Sequence, residues 1–110
     1  LGEGNQIRHY TNGKDIARAI RMAIESPAAI NEDFNISSSV ATSVRELAGI
    51  VWDKIHGTKL SITPHEPYPY DVQIRSPDVT KAKEILGFET EISLNDSIDE
   101  VIEWMRAQHG

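Results

Sequence analysis

The most informative absences in this sequence of 110 residues are cysteine, a basic charge excess and a long apolar run. Without cysteine, a disulfide scaffold and thiolate chemistry are excluded, and we expect a protein of a reducing compartment, the cytoplasm. The net charge of −6 and the lack of any basic run argue against a nucleic-acid-binding surface. No apolar run approaches the roughly 20 residues that span a bilayer. No charged-then-apolar leader is present, so we expect neither a membrane segment nor a signal peptide.

The rest of the composition is that of one globular domain. Hydrophobic residues make up 39% of the chain, which is enough for one core at this length. The four histidines are scattered without metal-ligand spacing, so we expect no metal site. The sequence shows no nucleophile–base set, no paired carboxylates in an apolar setting and no phosphate-cradling glycine loop. We therefore expect no catalytic residue in this chain.

Four segments combine an N-cap residue with apolar residues at helical spacing. They begin at Asn12 or Gly13, Ser43, Asp78 and Ser93, and stop signals follow the first three at Ser26-Pro27, Gly57 and Gly87. The first apolar face consists of Ile16, Ile20, Ala23 and Ile24. The inward-facing residues expected in the other three helices are Val44, Leu47, Ala48, Val51 and Ile55; Val79, Ala82 and Leu86; and Leu94, Ile98, Val101, Ile102 and Met105.

Short extended segments are predicted at residues 7–11, 34–36 and 59–63, the last from its alternation of polar and apolar residues. Residues 64–70 hold three prolines and two tyrosines and are predicted to form a structured loop. The predicted fold class is α/β, as an α+β-like subdomain of about four helices with a small two- to three-stranded sheet. Because such a sheet is marginal by itself, we expect this subdomain to pack on another domain.

Two arginines stand out as candidates for binding an anion. Arg8 follows the start of a predicted strand, and Arg75 precedes a predicted helix. Guanidinium groups bind phosphate through paired, charged hydrogen bonds, so two converging arginines suit a diphosphate. The alternative, two surface arginines in ordinary salt bridges with the many acids, stays open on composition alone. Asp78 is explained as an N-cap, although such a carboxylate can also contact a ligand hydroxyl.

The order of several short motifs resembles the C-terminal part of one enzyme family. The motifs are Gly4-Asn5-Gln6-Ile7-Arg8-His9-Tyr10, Phe34-Asn35-Ile36-Ser37, Val44-Arg45-Glu46-Leu47-Ala48, and Asp71-Val72 followed by the run from Arg75-Ser76-Pro77-Asp78 to Leu86-Gly87-Phe88. Together they resemble the extended short-chain dehydrogenase/reductase family of nucleotide-sugar epimerases, dehydratases and decarboxylases. Gly13 and Tyr70 depart from the family pattern, the first replacing an apolar residue and the second a glycine.

The resemblance implies a division of labour between two domains. Residues 1–110 correspond to the C-terminal substrate-binding domain, in which Arg8 and Arg75 contact the nucleotide diphosphate, Asp78 lies near sugar or ribose hydroxyls, and Gln6 joins them. NAD or NADP is bound by an N-terminal Rossmann domain that is absent from this chain. Tyr10 and Lys14 match the spacing of the family's catalytic pair, but Asn12-Gly13 separates them from a common helix, so no catalytic or cofactor-binding residue is expected here.

The resulting prediction is the substrate-binding part of a nucleotide-sugar epimerase or dehydratase, similar to UDP-glucose 4-epimerase. Its expected partners are a UDP-, GDP- or dTDP-linked sugar and its own Rossmann domain, with homodimerisation left open and no nucleic acid or membrane. The fragment alone is expected to be inactive. Two alternatives remain: a family member that reduces a substrate without a nucleotide, and a free-standing acidic module that binds a protein.

Overall fold

The computed structural model describes residues 2–109, in which helices predominate. The three α-helices are α1 (Gly13–Glu25), α2 (Val44–Ile55) and α3 (Leu94–His109). A π-helical turn, Ala82–Leu86, precedes α3, and a 3-10 turn, Pro27–Ala29, follows α1. Two short strands, β1 (Ile7–Arg8) and β2 (Thr42–Ser43), pair antiparallel. The predicted fold class, about four helices with a small sheet, is confirmed.

The helix ends lie where the capping residues predict them. Asn12 accepts a hydrogen bond from the backbone N–H of Lys14, at 2.9 Å, and begins α1. Ser43 and Glu46 form the complete capping box of α2, with the Ser43 hydroxyl accepting from the Glu46 N–H at 3.0 Å. Gly87 ends the π-helical turn with a φ of +68°, a left-handed conformation that glycine adopts without a steric cost. These ends depend on neighbouring residues alone, which is why the sequence predicts them.

The predicted strands fit the structure less well. Residues 34–36 and 59–63 form no strand, and the strand predicted at 7–11 is limited to Ile7 and Arg8, so those predictions were wrong. The partner of β1 is Thr42–Ser43, which the sequence analysis did not predict as a strand. A strand requires a distant partner for its backbone groups, and local alternation does not identify that partner.

The backbone of Ile7 pairs with two other segments of the chain, one on each side. Ile7 pairs with Ser43 on one side and forms a parallel bridge with Ile74 on the other. In this bridge the Ile7 N–H donates to Gln73 O at 2.7 Å, and the Arg75 N–H donates to Ile7 O at 3.1 Å. Segment 73–75 is therefore aligned along β1, although it is not itself an extended strand.

The core is small and lies between α1, the π-helical turn and segment 34–36. Its buried members are Ala19, Ala82 and Phe88, and the half-buried residues packed on them are Met22, Phe34, Ile36 and Leu86. Other residues predicted to face inward are exposed. These are Val44, Ile55, Val101 and Met105, and Ile20 and Ile24 of the first apolar face are exposed as well. Helical spacing shows that residues share a face, but burial also requires an element packed against that face.

Asp15 is a buried carboxylate that joins two distant segments. Its side chain is 1% exposed, accepts from the backbone N–H groups of Glu91 and Ile92, both at 3.1 Å, and pairs with Arg18 at 3.4 Å. Burial alone raises the pKa of Asp15, but the two N–H donors and the Arg18 guanidinium outweigh it, so the pKa of this carboxyl lies below its ordinary value. The contact holds the chain before α3 against α1.

Candidate functional site

Arg8 lies on β1 with its guanidinium folded over the neighbouring segment. Its Nη1 donates to Ile7 O at 2.8 Å, and its Nη2 donates to Val72 O at 2.7 Å. These two contacts leave most of the five guanidinium N–H groups available to a ligand. The carbonyl contacts fix the position of the side chain, so Arg8 is a pre-oriented cation at this edge of the sheet.

Arg75 occupies the same ladder as Arg8. Ile7 is bridged to Ile74, and the next residues along the two segments are Arg8 and Arg75, so the bridge brings their backbones side by side. Arg75 is exposed, and no acceptor among residues 2–109 contacts its guanidinium. The bridge thus brings the two segments that carry the predicted arginines together, with Arg8 held by two carbonyl groups and Arg75 without an acceptor in the described range.

Gln6 is attached to this pair through a residue that the sequence analysis did not select. Gln6 is buried, and its Nε2 donates to Asp71 Oδ2 at 2.7 Å across 65 positions of sequence. The other oxygen of Asp71 lies 3.9 Å from Arg8 Nη2. Asp71 belongs to the Asp71-Val72 motif of the family resemblance, but it was not selected as a site residue. Its contact with Gln6 becomes visible only in the folded chain.

Asp78 lies apart from the other predicted site residues. Its Oδ1 accepts from the Thr80 N–H at 3.0 Å, just before the π-helical turn whose N-cap is Lys81, and its carbonyl accepts from Asn35 Nδ2 at 3.3 Å. Hydrogen bonding to Thr80 lowers the pKa of the exposed Asp78 carboxyl. Within the described range, no contact joins Asp78 to either arginine. Asp78 instead borders a small pocket of about 150 Å³, together with Asp33, Phe34, Asn35 and Lys81.

An open groove of about 540 Å³ begins beside Gln6. The residues that line it are Gly2, Glu3, Asn5, Gln6, Pro64, His65, Pro67 and Gln73. The N–H of Gly2 donates to His65 O at 2.6 Å, which holds the first residues against the proline-rich loop. The groove thus extends from Gln6 over a surface rich in amides and proline rings, and neither Arg8 nor Arg75 lines it.

The described residues do not form a dinucleotide-binding turn. Gly2 and Gly4 have φ values of +72° and +78°. They precede β1 instead of following a strand, and no helix begins at them. Tyr10 precedes α1, and the Lys14 Nζ contacts Glu100 at 3.0 Å, so these two residues do not share a helix. This part of the chain does not fit NAD, and no hydride-transfer step is assigned to it. No helix among residues 2–109 has the length and apolar character needed to cross a membrane.

A family model described as GDP-mannose 4,6 dehydratase matches residues 1–101 of this chain. The four helices and small sheet also align with part of the solved structures of nucleotide-sugar epimerases. By family model and by fold, the chain is thus similar to enzymes named for nucleotide-sugar substrates. The chain belongs to the NAD-dependent epimerase/dehydratase family, of which GDP-mannose 4,6 dehydratase is a representative.

Three individual relatives illustrate the match. A putative UDP-glucose 4-epimerase of Methanocaldococcus jannaschii is 36% identical over 108 residues, which cover 96% of this chain and 33% of that protein. The UDP-glucose 4-epimerase of Thermotoga maritima, solved with UDP-glucose, is 32% identical with a TM-score of 0.86, covering 100% of this chain and 35% of that one. MoeE5, solved with UDP-glucuronic acid and NAD, is 26% identical with a TM-score of 0.80, covering 98% and 36%. The chain therefore spans about a third of these relatives.

Proposed function

We propose that this chain is the C-terminal substrate-binding domain of an NAD(P)-dependent nucleotide-sugar epimerase or dehydratase. In this proposal it binds the diphosphate of a nucleotide sugar, and an N-terminal Rossmann domain of the full-length protein binds NAD or NADP. The single observation that carries the proposal is the backbone ladder at Ile7, which brings the backbone of Arg75 beside that of Arg8.

The two arginines have different parts in this proposal. Arg8 is held by two carbonyl groups, so little side-chain freedom is lost when a phosphate binds to it. Arg75 has no acceptor in the described range and is free to close on the second phosphate. Bidentate, charged hydrogen bonds from two arginines suit a diphosphate better than those from one charged group.

In this proposal the diphosphate is a non-reacting part of the substrate, and binding it orients the sugar. Interactions with a non-reacting part of the substrate supply free energy that holds the reactive part in place. The chain's own residues then position the substrate, and the chemistry takes place on the other domain. Two observations support this division of roles between domains. The described residues include no dinucleotide-binding turn, and the chain spans about a third of the length of its relatives.

The decisive experiment replaces Arg75 with alanine in the full-length protein. Loss of a charged hydrogen-bonding pair removes about 1.5–3 kcal/mol, so Arg75→Ala should weaken UDP binding by roughly tenfold to a hundredfold. NAD binding should be unchanged. Isothermal titration with UDP and with NAD measures both. Arg21→Ala is the matched control, because Arg21 is exposed on α1 and contacts only Glu25, at 3.0 Å, within the described range.

The alternatives predict different titrations. In a family member that reduces a substrate without a nucleotide, UDP would not bind and Arg75→Ala would have no effect on it. Equal loss of UDP and NAD binding would show that Arg75 supports the whole fold, not the diphosphate. In a free-standing acidic module, the native protein would have the mass of this chain alone, and mass spectrometry of the source protein tests that directly.

A further inference from the structure

We infer that Asp71 is a positioning residue whose carboxylate orients the Arg8 guanidinium for the phosphates. This inference rests on the proposed diphosphate site and adds a residue to it. Asp71 is not itself a phosphate ligand in this scheme, because its charge has the wrong sign. It acts through Arg8, which distinguishes it from a residue that touches the substrate.

The Asp71 carboxylate joins a buried group to the arginine. Gln6 is 8% exposed and therefore firmly placed, and it donates from Nε2 to Asp71 Oδ2 at 2.7 Å. Asp71 Oδ1 lies 3.9 Å from Arg8 Nη2, on the opposite side of the carboxylate. The side chains of Arg8 and Asp71 are 27% and 24% exposed. The pair is therefore partly shielded from water, which strengthens its attraction relative to a fully solvated pair.

Asp71 also stands at the start of the backbone segment that contacts Arg8. Its N–H donates to Tyr68 O at 3.3 Å and closes a turn at the end of the proline-rich loop. The next carbonyl, Val72 O, accepts from Arg8 Nη2 at 2.7 Å. Loss of the Asp71 side chain would remove its ion pair with Arg8 and release this segment from Gln6. The hydrogen bond from Arg8 to Val72 O would then be weakened as well.

Two opposing electrostatic effects make the inference testable. A carboxylate near a diphosphate repels it, so removing Asp71 strengthens phosphate binding if repulsion is its main effect. Removing it weakens phosphate binding if orientation of Arg8 dominates. Asparagine at position 71 removes the charge but keeps one acceptor oxygen, which serves either Gln6 or Arg8 but not both. Orientation therefore predicts an intermediate affinity for Asp71→Asn, whereas repulsion predicts that asparagine and alanine both bind more tightly than aspartate.

The experiment measures binding of inorganic pyrophosphate and of UDP to the full-length protein by titration. The variants are Asp71→Ala, Asp71→Asn, Arg8→Ala and the double variant Asp71→Ala/Arg8→Ala. The control is Asp53→Ala, an exposed aspartate of α2. NAD binding and thermal unfolding establish that each variant is folded. If Asp71→Ala does not fold, Asp71→Asn takes its place in the double variant.

We expect Asp71→Ala to weaken both pyrophosphate and UDP binding by about tenfold and Asp71→Asn by about threefold, as coupling within one charged network allows. In the Arg8→Ala background the same change should have less than about a twofold effect, because the group through which Asp71 acts is gone. An effect that is fully retained without Arg8 would overturn the inference, as would tighter pyrophosphate binding by Asp71→Ala.

Two further outcomes separate this inference from the proposed function. If Asp71→Ala weakens UDP but not pyrophosphate, Asp71 contacts the nucleoside directly and is not a positioning residue, while the diphosphate site itself stands. If neither Arg8→Ala nor Arg75→Ala changes the binding of either ligand, the proposed diphosphate site is wrong and the inference is lost with it.

Discussion

Replacement of Asp15 by asparagine tests how a single buried carboxylate holds two segments of this fold together. Asp15 Oδ1 accepts from the Glu91 N–H and contacts Arg18, and Oδ2 accepts from the Ile92 N–H. Asparagine has the same size but offers one acceptor oxygen and one amide donor. Whichever way the amide is turned, its NH₂ group faces one of the two backbone N–H donors, and that donor loses its partner.

The magnitude follows from these contacts. A backbone N–H left without an acceptor costs about 1–3 kcal/mol, and the surviving hydrogen bond loses its charged acceptor. Arg18 is not stranded, because it is 30% exposed and also contacts Glu91 and the Glu89 carbonyl. We therefore expect Asp15→Asn to lower the free energy of unfolding by about 2–3 kcal/mol, and not by the larger amount typical of a broken, fully buried ion pair.

The effect should depend on pH. The pKa of Asp15 in the fold lies below the ordinary value of 3.8, so the unfolded chain binds this proton more readily. The stabilisation is therefore complete above pH 3.8 and is lost as pH falls through the lower folded pKa. The difference in stability between the wild-type protein and Asp15→Asn should accordingly be constant near neutral pH and should shrink under these acidic conditions.

Urea denaturation at several pH values measures the difference in stability, and amide hydrogen exchange at Glu91 and Ile92 measures the local change. At least one of these two amides should exchange faster in Asp15→Asn. Asp53→Asn, at an exposed position of α2, should change neither quantity. Unchanged stability together with unchanged exchange at both amides would refute the reasoning, because it would mean that the carboxylate contacts do not stabilise the fold.

The remaining predictions concern backbone conformation and packing, and thermal unfolding checks each of them. Gly87 has a φ of +68°, and a Cβ atom at this position would meet nothing within 4 Å, so Gly87→Ala should cost about 1–2 kcal/mol through backbone strain alone. Gly49 is helical with equally open space, so Gly49→Ala should stabilise by about 0.5–1 kcal/mol. The two glycine substitutions should therefore change stability in opposite directions, and a change in the same direction would contradict the explanation from backbone conformation. Phe88 is 2% exposed, so Phe88→Ala should cost about 3–5 kcal/mol, whereas Tyr70→Ala, at a side chain 96% exposed, should stay within about 0.5 kcal/mol. Similar losses at both aromatic positions would contradict the assigned core.

Local sequence predicts some residues of the candidate site and not others. Arg8 and Arg75 were selected because of their residue type and the order of the surrounding motifs, and the structure aligns them through the bridge at Ile7. Asp71 was not selected, since its contact with Gln6 crosses 65 positions of sequence. Asp78 was selected with the arginines but has no contact with them, and its carboxylate accepts from the nearby Thr80 N–H.

The sequence by itself determined the helices and their ends. Asn12, Ser43, Gly87 and Ser93 act on backbone groups within five residues, so their effects are encoded locally. The tertiary structure decided the pairing of β1, the burial of Asp15 and the position of Asp71. Those contacts require chain segments far apart in sequence to meet, and which segments meet depends on the packing of the whole fold against the entropy of closing the intervening loops.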